Sequence, residues 1–355
     1  MRTLVVGLVV VVVLALAAWF VFVPRPPSPG GPSAVGQAEL VLRDALGRSI
    51  PVTVWYPAAG RGNGGTPVAN APLDARTPAP LVLYSPGWGV TRMQSRIQVE
   101  NLASHGFVVV GCDDLASEPT ADPDQRANLD VSSDAATAAT IERAGRHVVR
   151  QAGRLLAVLD ALEAGQSTLL AGRLDLTRVG VLGYSIGGGA GLTAALMDAR
   201  IVAVFNLDGG IFGPPTTQIG SEAYFLLSSR EAFPSESELN SPDPSIRNYA
   251  LVSALDLPRN KRRMERATSY WAQLPQAEHA DLSDDLFVFS VNNLHRTNFE
   301  RSNMNEAIQK FEVAFFRKIL LGKEKSLLEA VGRSDQTVRW INPTSAPAGA
   351  ANARQ

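Results

Sequence analysis

Cysteine is nearly absent from this sequence, in which Cys112 is the only one. A single cysteine excludes an intrachain disulfide and a cysteine-based zinc cluster. An excess of charge of either sign is also absent, because 33 basic and 34 acidic residues leave a net charge of -1. This balance gives no electrostatic reason to expect nucleic acid as a partner. No cluster of metal-ligating residues is visible in the sequence, so we expect a chain that works without a metal or another cofactor.

The N-terminus departs from the soluble composition of the rest. Leu4 to Val23 form an uncharged apolar run of 20 residues, about enough to cross a hydrocarbon layer of ~30 Å. A cleaved signal peptide is the alternative, because small residues at 15–17 could form a cleavage site, but the apolar run continues beyond them. We therefore predict a transmembrane signal anchor over residues 1–23. Arg2 favours a cytoplasmic N-terminus, which places the body on the periplasmic or extracellular side.

Composition also divides the remainder of the chain. Residues 24–36 are rich in proline and glycine and predict an extended tether, and residues 344–355 predict a disordered tail. The chain is 45% hydrophobic, enough to bury one large core, so residues 37–343 are predicted to form one domain. Residues 231–267 are interpreted as a possible lid insertion over the site. Their basic cluster, PRNKRRMER, is more typical of a solvated helix face than of a phosphate site.

Apolar and alternating runs predict eight strands, with helical periodicity between them. Apolar residues recur on one helix face near residues 141–163 and again near 304–321. Two leading strands, followed by an alternation of strand and helix, are typical of an open, mostly parallel α/β sheet with helices on both faces. Reactive groups in such folds gather at the carboxyl ends of the strands. The predicted strands are 38–43, 51–56, 81–85, 107–112, 178–183, 201–206, 223–228 and 269–274.

The segment GVLGYSIGGGAG, residues 180–191, places Ser185 among glycines directly after a predicted strand. Glycine inside a helix costs roughly 1 kcal/mol relative to alanine, so helix stability does not explain this composition. On a tight strand-to-helix turn, small residues on both sides of a serine let the backbone fold closely, and the hydroxyl projects above the sheet. We therefore predict Ser185 as a nucleophile. The alternative is a glycine-rich structural turn that contains an incidental serine.

A nucleophilic serine needs a base and an orienting acid, which in this kind of fold follow it in the order Ser, Asp, His. The strand after the nucleophile ends in Asp208, with two glycines behind it. We predict Asp208 as the acid, and a turn-capping aspartate is the alternative. Asp113 and Asp114 also end a strand, but they precede the serine, so we interpret them as turn or surface carboxylates.

The base must come from four histidines. His279 follows the last predicted strand, in a loop that can return over the carboxyl edge of the sheet. His295 competes with it, because HRTNFE precedes the last helix. His105 ends a helix, where it can interact with the helix dipole, and His147 lies within a helix as a surface or packing residue. We predict His279 as the base.

Five segments together resemble a known family. VTVWYP, LVLYSPGWG, NLASHGFVVV, RLDLTRVGVLGYSIGGG and FNLDGG follow one another much as in the plasma-type platelet-activating factor acetylhydrolases. Bacterial relatives in the α/β-hydrolase and dienelactone-hydrolase-like group show the same order. The resemblance covers residues 38–322 and implies an α/β-hydrolase fold and a metal-independent serine esterase for short or oxidised acyl groups. It implies that Ser185 and Asp208 are the nucleophile and acid, and the segment AEHADLSD points to His279.

The same resemblance implies where the substrate binds. The oxyanion hole would consist of the backbone N–H of Ile186, after the nucleophile, and that of Trp88, in the loop SPGWG. Family members commonly have histidine where this chain has Pro86 and Tyr184. Both positions are expected to line the site together with Trp88, so the substrate contacts should differ from those of the family.

These features predict a membrane-tethered serine hydrolase that cleaves carboxylic esters through an acyl-serine intermediate. Its partner would be a small-molecule ester or a lipid. A polyester, dienelactone or amide hydrolase on the same scaffold is one alternative. A non-catalytic tethered binding protein is another, but a decayed site seldom keeps a serine, an acid and a histidine together.

Overall fold

Ten strands join into one mixed sheet at the centre of the described structure. The computed structural model describes residues 12–13, 19, 21–61, 65–74, 78–118, 129–213, 220–290, 295–323 and 337–341. The strands are β1 (Ser33–Arg43), β2 (Ser49–Arg61), β3 (Val68–Ala69), β4 (Ala79–Ser85), β5 (Val108–Cys112), β6 (Leu174–Tyr184), β7 (Ile201–Leu207), β8 (Ala223–Ser228), β9 (Ser269–Gln273) and β10 (Arg339–Trp340).

The sheet order is β10-β9-β8-β7-β6-β4-β5-β2-β1-β3. The six strands from β4 to β9 pair in parallel with one another. The antiparallel pairs are β1 with β2, β2 with β5, and β9 with β10. The parallel centre places the carboxyl ends of β4, β6, β7 and β8 along one edge, which is where the site lies.

Six helices lie between the strands of the described chain. They are α1 (Arg96–Ser104), α2 (Asp134–Glu163), α3 (Ile186–Met197), α4 (Glu236–Leu239), α5 (Pro244–Arg263) and α6 (Asn298–Leu320). Side chains define where the long helices begin. The Ser133 hydroxyl accepts a hydrogen bond from the backbone of Ala136 at the start of α2, and Thr297 and Glu300 form a capping box at the start of α6.

Alternate residues of the central strands pack into opposite apolar clusters. In β4, Leu81 and Leu83 join the cluster that contains α2 and α3, whereas Val82 and Tyr84 join the one that contains α1 and α6. Strands buried on both faces are apolar throughout, which is why short apolar runs predicted them. The predicted fold class, a mostly parallel sheet with helices on both faces, is confirmed, and each of the eight predicted strands is present.

The predicted tether, residues 24–36, is wrong in its second half. β1 begins at Ser33, inside the range 24–36. The backbone N–H of Gly30 donates to Asn101 Oδ1 at 3.0 Å, and that of Gly31 donates to Ser104 Oγ at 2.9 Å. Hydrogen bonds to α1 and strand pairing with β2 therefore order the second half of this segment. Such bonds involve the backbone, so they form even though residues 24–36 contain few apolar side chains.

Most of the predicted anchor lies outside the described residues, which include only 12–13, 19 and 21–23 of it. Among the residues that are described, no helix is both long and apolar enough to cross a membrane. The predicted tail at 344–355 also lies outside the described ranges. The predictions for both termini therefore stay predictions.

Candidate active site

Ser185 lies on a strained turn between β6 and α3. Its backbone has φ 54° and ψ -130°, a combination that costs a residue with a side chain on the order of 1–3 kcal/mol. Two backbone hydrogen bonds hold the turn, from Ser185 N to Leu207 O and from Gly188 N to Ser185 O, both at 2.9 Å. The neighbouring strand and the first turn of the helix thus keep the serine in its strained position.

The glycines around Ser185 permit this turn through close backbone contact. A Cβ atom on Gly183 would overlap the backbone of Gly187, and one on Gly187 would overlap the backbone of Ser85. A Cβ atom on Gly188 would overlap the Asn206 side chain. The glycine-rich composition therefore brings α3 directly against the sheet, as the motif predicts.

The structure brings together Ser185, Asp208 and His279. His279 Nε2 lies 3.0 Å from Ser185 Oγ, and His279 Nδ1 lies 2.8 Å from Asp208 Oδ2. The Asp208 side chain is 8% exposed, whereas that of His279 is 33% exposed. A buried carboxylate, an imidazole and a hydroxyl in this order can activate the hydroxyl as a nucleophile. The competing His295 is exposed, and no bond joins it to these side chains.

A second hydrogen bond fixes the orientation of Asp208. The backbone N–H of Ser229, after β8, donates to Oδ1 at 2.8 Å, which leaves Oδ2 for His279. Asp208 itself has φ 52°, so its side chain also leaves the strand on a left-handed turn.

Electrostatic effects strengthen the pair formed by Asp208 and His279. Burial alone would raise the pKa of Asp208, but its hydrogen bonds and its charge interaction with His279 outweigh burial and hold the pKa below its usual range. Burial would likewise lower the pKa of His279. The hydrogen bond and charge of Asp208, aided by Glu231 and Asp285, instead raise it above the ordinary value of 6.5. The imidazole is therefore a stronger base than a free histidine.

Two further side chains hold the backbone of His279. The Tyr184 hydroxyl donates to the His279 carbonyl at 3.1 Å, and its ring stacks on the imidazole with centroids 5.1 Å apart. The His279 N–H donates to Glu231 Oε1 at 3.2 Å, and the Tyr249 hydroxyl donates to Glu231 Oε2 at 2.6 Å. Tyr249 belongs to α5, so the segment 231–267 contacts the histidine loop through Glu231.

The loop after β4 carries Trp88, the second predicted oxyanion donor. The backbone amides of the residues on either side of Trp88 each donate to a side chain. Gly87 N donates to Gln94 Oε1, and Gly89 N donates to Asp114 Oδ1, each at 2.8 Å. These bonds fix the course of the loop on both sides of Trp88.

The surface alternatives for Asp114 and His147 were wrong, whereas the turn alternative for Asp114 holds, because its Oδ1 accepts a hydrogen bond from Ala116 N at 3.0 Å. Both side chains are fully buried, and His147 Nε2 lies 2.6 Å from Asp114 Oδ2. The His147 ring also stacks on the Trp88 indole, with centroids 5.5 Å apart. Asp114 and His147 therefore form a buried pair that supports the Trp88 loop, and only the packing alternative for His147 holds. Asp113, by contrast, is partly exposed and pairs with Arg92 at 2.6 Å.

Sequence reasoning missed Asn206, which shapes the turn that carries Asp208. Its Oδ1 accepts a hydrogen bond from Gly209 N at 2.8 Å, and its Nδ2 donates to Gly209 O at 2.9 Å and to the Tyr224 hydroxyl at 3.0 Å. The signal was present in the sequence, because a polar residue inside an apolar central strand must find partners when it is buried.

A cavity of about 350 Å³ opens above Ser185. The predicted substrate contacts Trp88 and Tyr184 line it, as do Ile186, Asp208 and His279. Pro86 is not among the lining residues, which corrects the prediction for that position. Its carbonyl instead packs against Gly187 beneath the turn. Within the described ranges, no group of three or more His, Cys, Asp or Glu side chains is placed to hold a metal ion.

The segment 231–267 forms one wall of this cavity. Glu231 and Ala232 line it from the turn after β8, and α5 contributes Tyr249, Val252, Ser253, Asp256, Leu257 and Asn260. Its basic cluster lies mainly at the surface, since Lys261 and Arg262 are exposed, although Arg263 is buried in an ion pair with Glu222.

Comparison with known proteins identifies the architecture. The ferulic acid esterase from Streptomyces cinnamoneus superimposes with a TM-score of 0.62 at 23% identity, covering 89% of this chain and 100% of that chain. The fold is that of the α/β-hydrolases. A family model described as PETase, PET hydrolase-like, matches residues 53–209, a range that includes Ser185 and Asp208. No curated protein matches the chain. The finer placement among the acetylhydrolases stays a prediction.

Proposed function

We propose that this α/β-hydrolase is a serine esterase that cleaves carboxylic esters through an acyl-serine intermediate. The observation that supports it best is the continuous hydrogen-bond chain from Ser185 through His279 to Asp208. The strained turn at Ser185 adds to it, because strain of this kind persists where the surrounding structure holds a functional group in place.

In the proposed reaction, each of these residues has one role. His279 Nε2 takes the proton of Ser185 Oγ as that oxygen bonds to the ester carbonyl carbon. The carbonyl oxygen becomes an oxyanion, which the backbone N–H groups of Ile186 and Trp88 would stabilise. The C–O bond to the alcohol then breaks as His279 returns the proton to the leaving oxygen. A water molecule then attacks the acyl carbon as His279 takes its proton, and the acid is released when His279 gives that proton to Ser185 Oγ. Asp208 holds the imidazole in the required tautomer throughout.

Two substrate classes compete within this proposal. The order of the five sequence motifs favours short-acyl or lipid-type esters of the acetylhydrolase kind. The match of residues 53–209 to a PET hydrolase-like family favours polyesters. A panel of 4-nitrophenyl esters of graded acyl length, together with an aromatic polyester film, separates the two classes. Activity limited to short acyl groups supports the first, and soluble products released from the film support the second.

Covalent labelling tests the nucleophile directly. A fluorophosphonate probe should label the wild-type protein at Ser185, and Ser185→Ala should abolish both labelling and ester hydrolysis. Ser167, a buried serine outside the cavity, is the matched control, and Ser167→Ala should still be labelled. Labelling that persists unchanged in Ser185→Ala would rule out the proposed nucleophile.

The membrane anchor at residues 1–23 is a separate proposal, supported by its apolar sequence alone. Fractionation of cells that express the full chain should recover the protein in the membrane pellet, in a form that detergent but not high salt releases. A soluble mature protein that begins near Ala18 would show a cleaved signal instead.

A further inference from the structure

Negative charge is concentrated in the cavity above Ser185. Asp208, Glu231 and Asp256 all line it, and no lysine or arginine is among the lining residues that the structure describes. Asp208 belongs to the proposed triad, and Glu231 holds the backbone of His279. Asp256, on α5, takes no part in the proposed chemistry, so its carboxylate needs another explanation.

Asp256 is held in the cavity wall by one backbone group. Its Oδ2 accepts a hydrogen bond from Ile211 N at 2.9 Å, and its side chain is only 14% exposed. Burial raises the pKa of Asp256 to about 6, although the hydrogen bond from Ile211 and the charge of Arg259 oppose the shift. The group is therefore ionised at pH 8 in spite of its surroundings.

Two arginines approach the cavity wall without lining it. Arg259 Nη1 lies 3.4 Å from Asp256 Oδ1, but its side chain is 40% exposed, so water screens much of its charge. Arg143 stacks over the Trp88 ring at 5.8 Å. Neither arginine provides a cation inside the cavity, where an anionic group of a ligand would need one.

We propose that this cavity selects uncharged esters and excludes esters whose acyl part carries a carboxylate, with Asp256 as the residue that determines the selectivity. The inference rests on the proposed esterase function. A carboxylate that enters the cavity loses its hydration and meets other carboxylates, and the lining residues that the structure describes offer it no lysine or arginine to pair with. An uncharged ester meets neither penalty. The acid product carries a new negative charge, so the same repulsion favours its release.

A pair of esters that differ only in charge tests the proposal. One is mono(4-nitrophenyl) glutarate, which carries a carboxylate, and the other is 4-nitrophenyl glutaramate, which carries a carboxamide of similar size. At pH 8, and after correction for the uncatalysed reaction, the wild type should favour the carboxamide at least tenfold in kcat/KM. Asp256→Asn keeps an acceptor for Ile211 N and should reduce this preference at least threefold. The exposed Glu265 is the matched control, and Glu265→Gln should leave the preference unchanged.

A third substrate tests the proposal in the wild type alone, should Asp256→Asn fail to fold. The 4-nitrophenyl ester of 4-(trimethylammonio)butyrate carries a positive charge and should react at least as fast as the carboxamide. Equal kcat/KM for all three esters within twofold, or a preference unchanged in folded Asp256→Asn, would overturn the inference and leave the esterase proposal intact. Failure to hydrolyse any of them would refute the esterase proposal and this inference with it.

Discussion

Replacing Asp208 with asparagine changes the position of a single proton in the candidate triad. Asp208 accepts hydrogen bonds at both oxygens, from Ser229 N at Oδ1 and from His279 Nδ1 at Oδ2, each at 2.8 Å. An asparagine has only one side-chain oxygen. The Ser229 N–H can only donate, so the amide oxygen must face it. The NH2 group must then face His279.

This orientation forces the wrong imidazole tautomer. An NH2 group beside Nδ1 requires Nδ1 to accept, so the ring proton moves to Nε2 and points at Ser185 Oγ. Nε2 can then no longer take the proton of the hydroxyl. Loss of the correct tautomer lowers kcat by about 10⁴-fold in triads of this kind. At 1.36 kcal/mol for each factor of ten, this is about 5.4 kcal/mol of transition-state stabilisation. Both hydrogen bonds survive, the one from Ser229 N unchanged and the one with His279 reversed, so folding should change little.

Steady-state kinetics with 4-nitrophenyl butyrate measure the effect, and thermal unfolding confirms that Asp208→Asn is folded. We expect the loss in kcat and little change in KM. Asp113 is the matched control, because it also ends a strand but pairs with Arg92. Asp113→Asn should keep kcat within about threefold of the wild type, because the Asp113 side chain bonds to Arg92 and not to the triad. A loss below about 100-fold in folded Asp208→Asn would refute the tautomer argument.

Three further predictions follow from the same geometry. His279→Ala should lower kcat by at least about 10³-fold and the exposed His295→Ala should not; the reverse result in the same assay would exclude His279 as the base. On the acid side of the pH profile, kcat/KM should fall to half its maximum at a pH above 6.5, because neutral His279 is required and its pKa is raised. A midpoint at or below pH 6.5 would contradict this. Gly188→Ala should destabilise the protein to urea by about 1–3 kcal/mol, since the added Cβ overlaps Asn206. Gly153→Ala, in α2 with open space at the Cβ position, should not.

Local patterns predicted the elements that carry the site. β6 ends in the apolar run 179–184, and β7 is apolar apart from Asn206; Ser185 and Asp208 directly follow these strands. Both residues have positive φ, and the glycines beside them indicated the tight turns in advance. Their proximity followed from topology, because the ends of neighbouring parallel strands meet at one edge of the sheet.

Contacts between distant segments could not be predicted in the same way. Asp114 and His147 are 33 positions apart, and each taken alone looks like an ordinary polar residue at a strand end or in a helix. The Trp88 loop covers both, since the indole stacks on the His147 ring and Gly89 N donates to Asp114. Pro86 was expected to line the cavity because it precedes the loop that carries Trp88, but it is buried and its carbonyl lies against Gly187 beneath the Ser185 turn.

The orientation of α5 shows most clearly why pattern alone is insufficient near a site. An amphipathic helix normally buries its apolar face. In α5, Ile246, Leu251 and Leu255 are instead exposed. The inward face of the helix is mixed, because Leu257 packs against the core while the buried polar side chains have hydrogen-bond partners. Asn248 Nδ2 donates to Val131 O at 3.1 Å, and Asn260 Oδ1 accepts from the Tyr224 hydroxyl at 3.3 Å.

Because these partners belong to other elements, the sequence of α5 alone could not reveal which face it turns inward. This mixed face determines the chemistry of the cavity wall. Val252 and Leu257 contribute hydrocarbon to the wall, and Asp256 contributes a carboxylate whose charge can act on a substrate. Local rules are expected to fail where function outweighs stability, and here the failure coincides with the segment that lines the site.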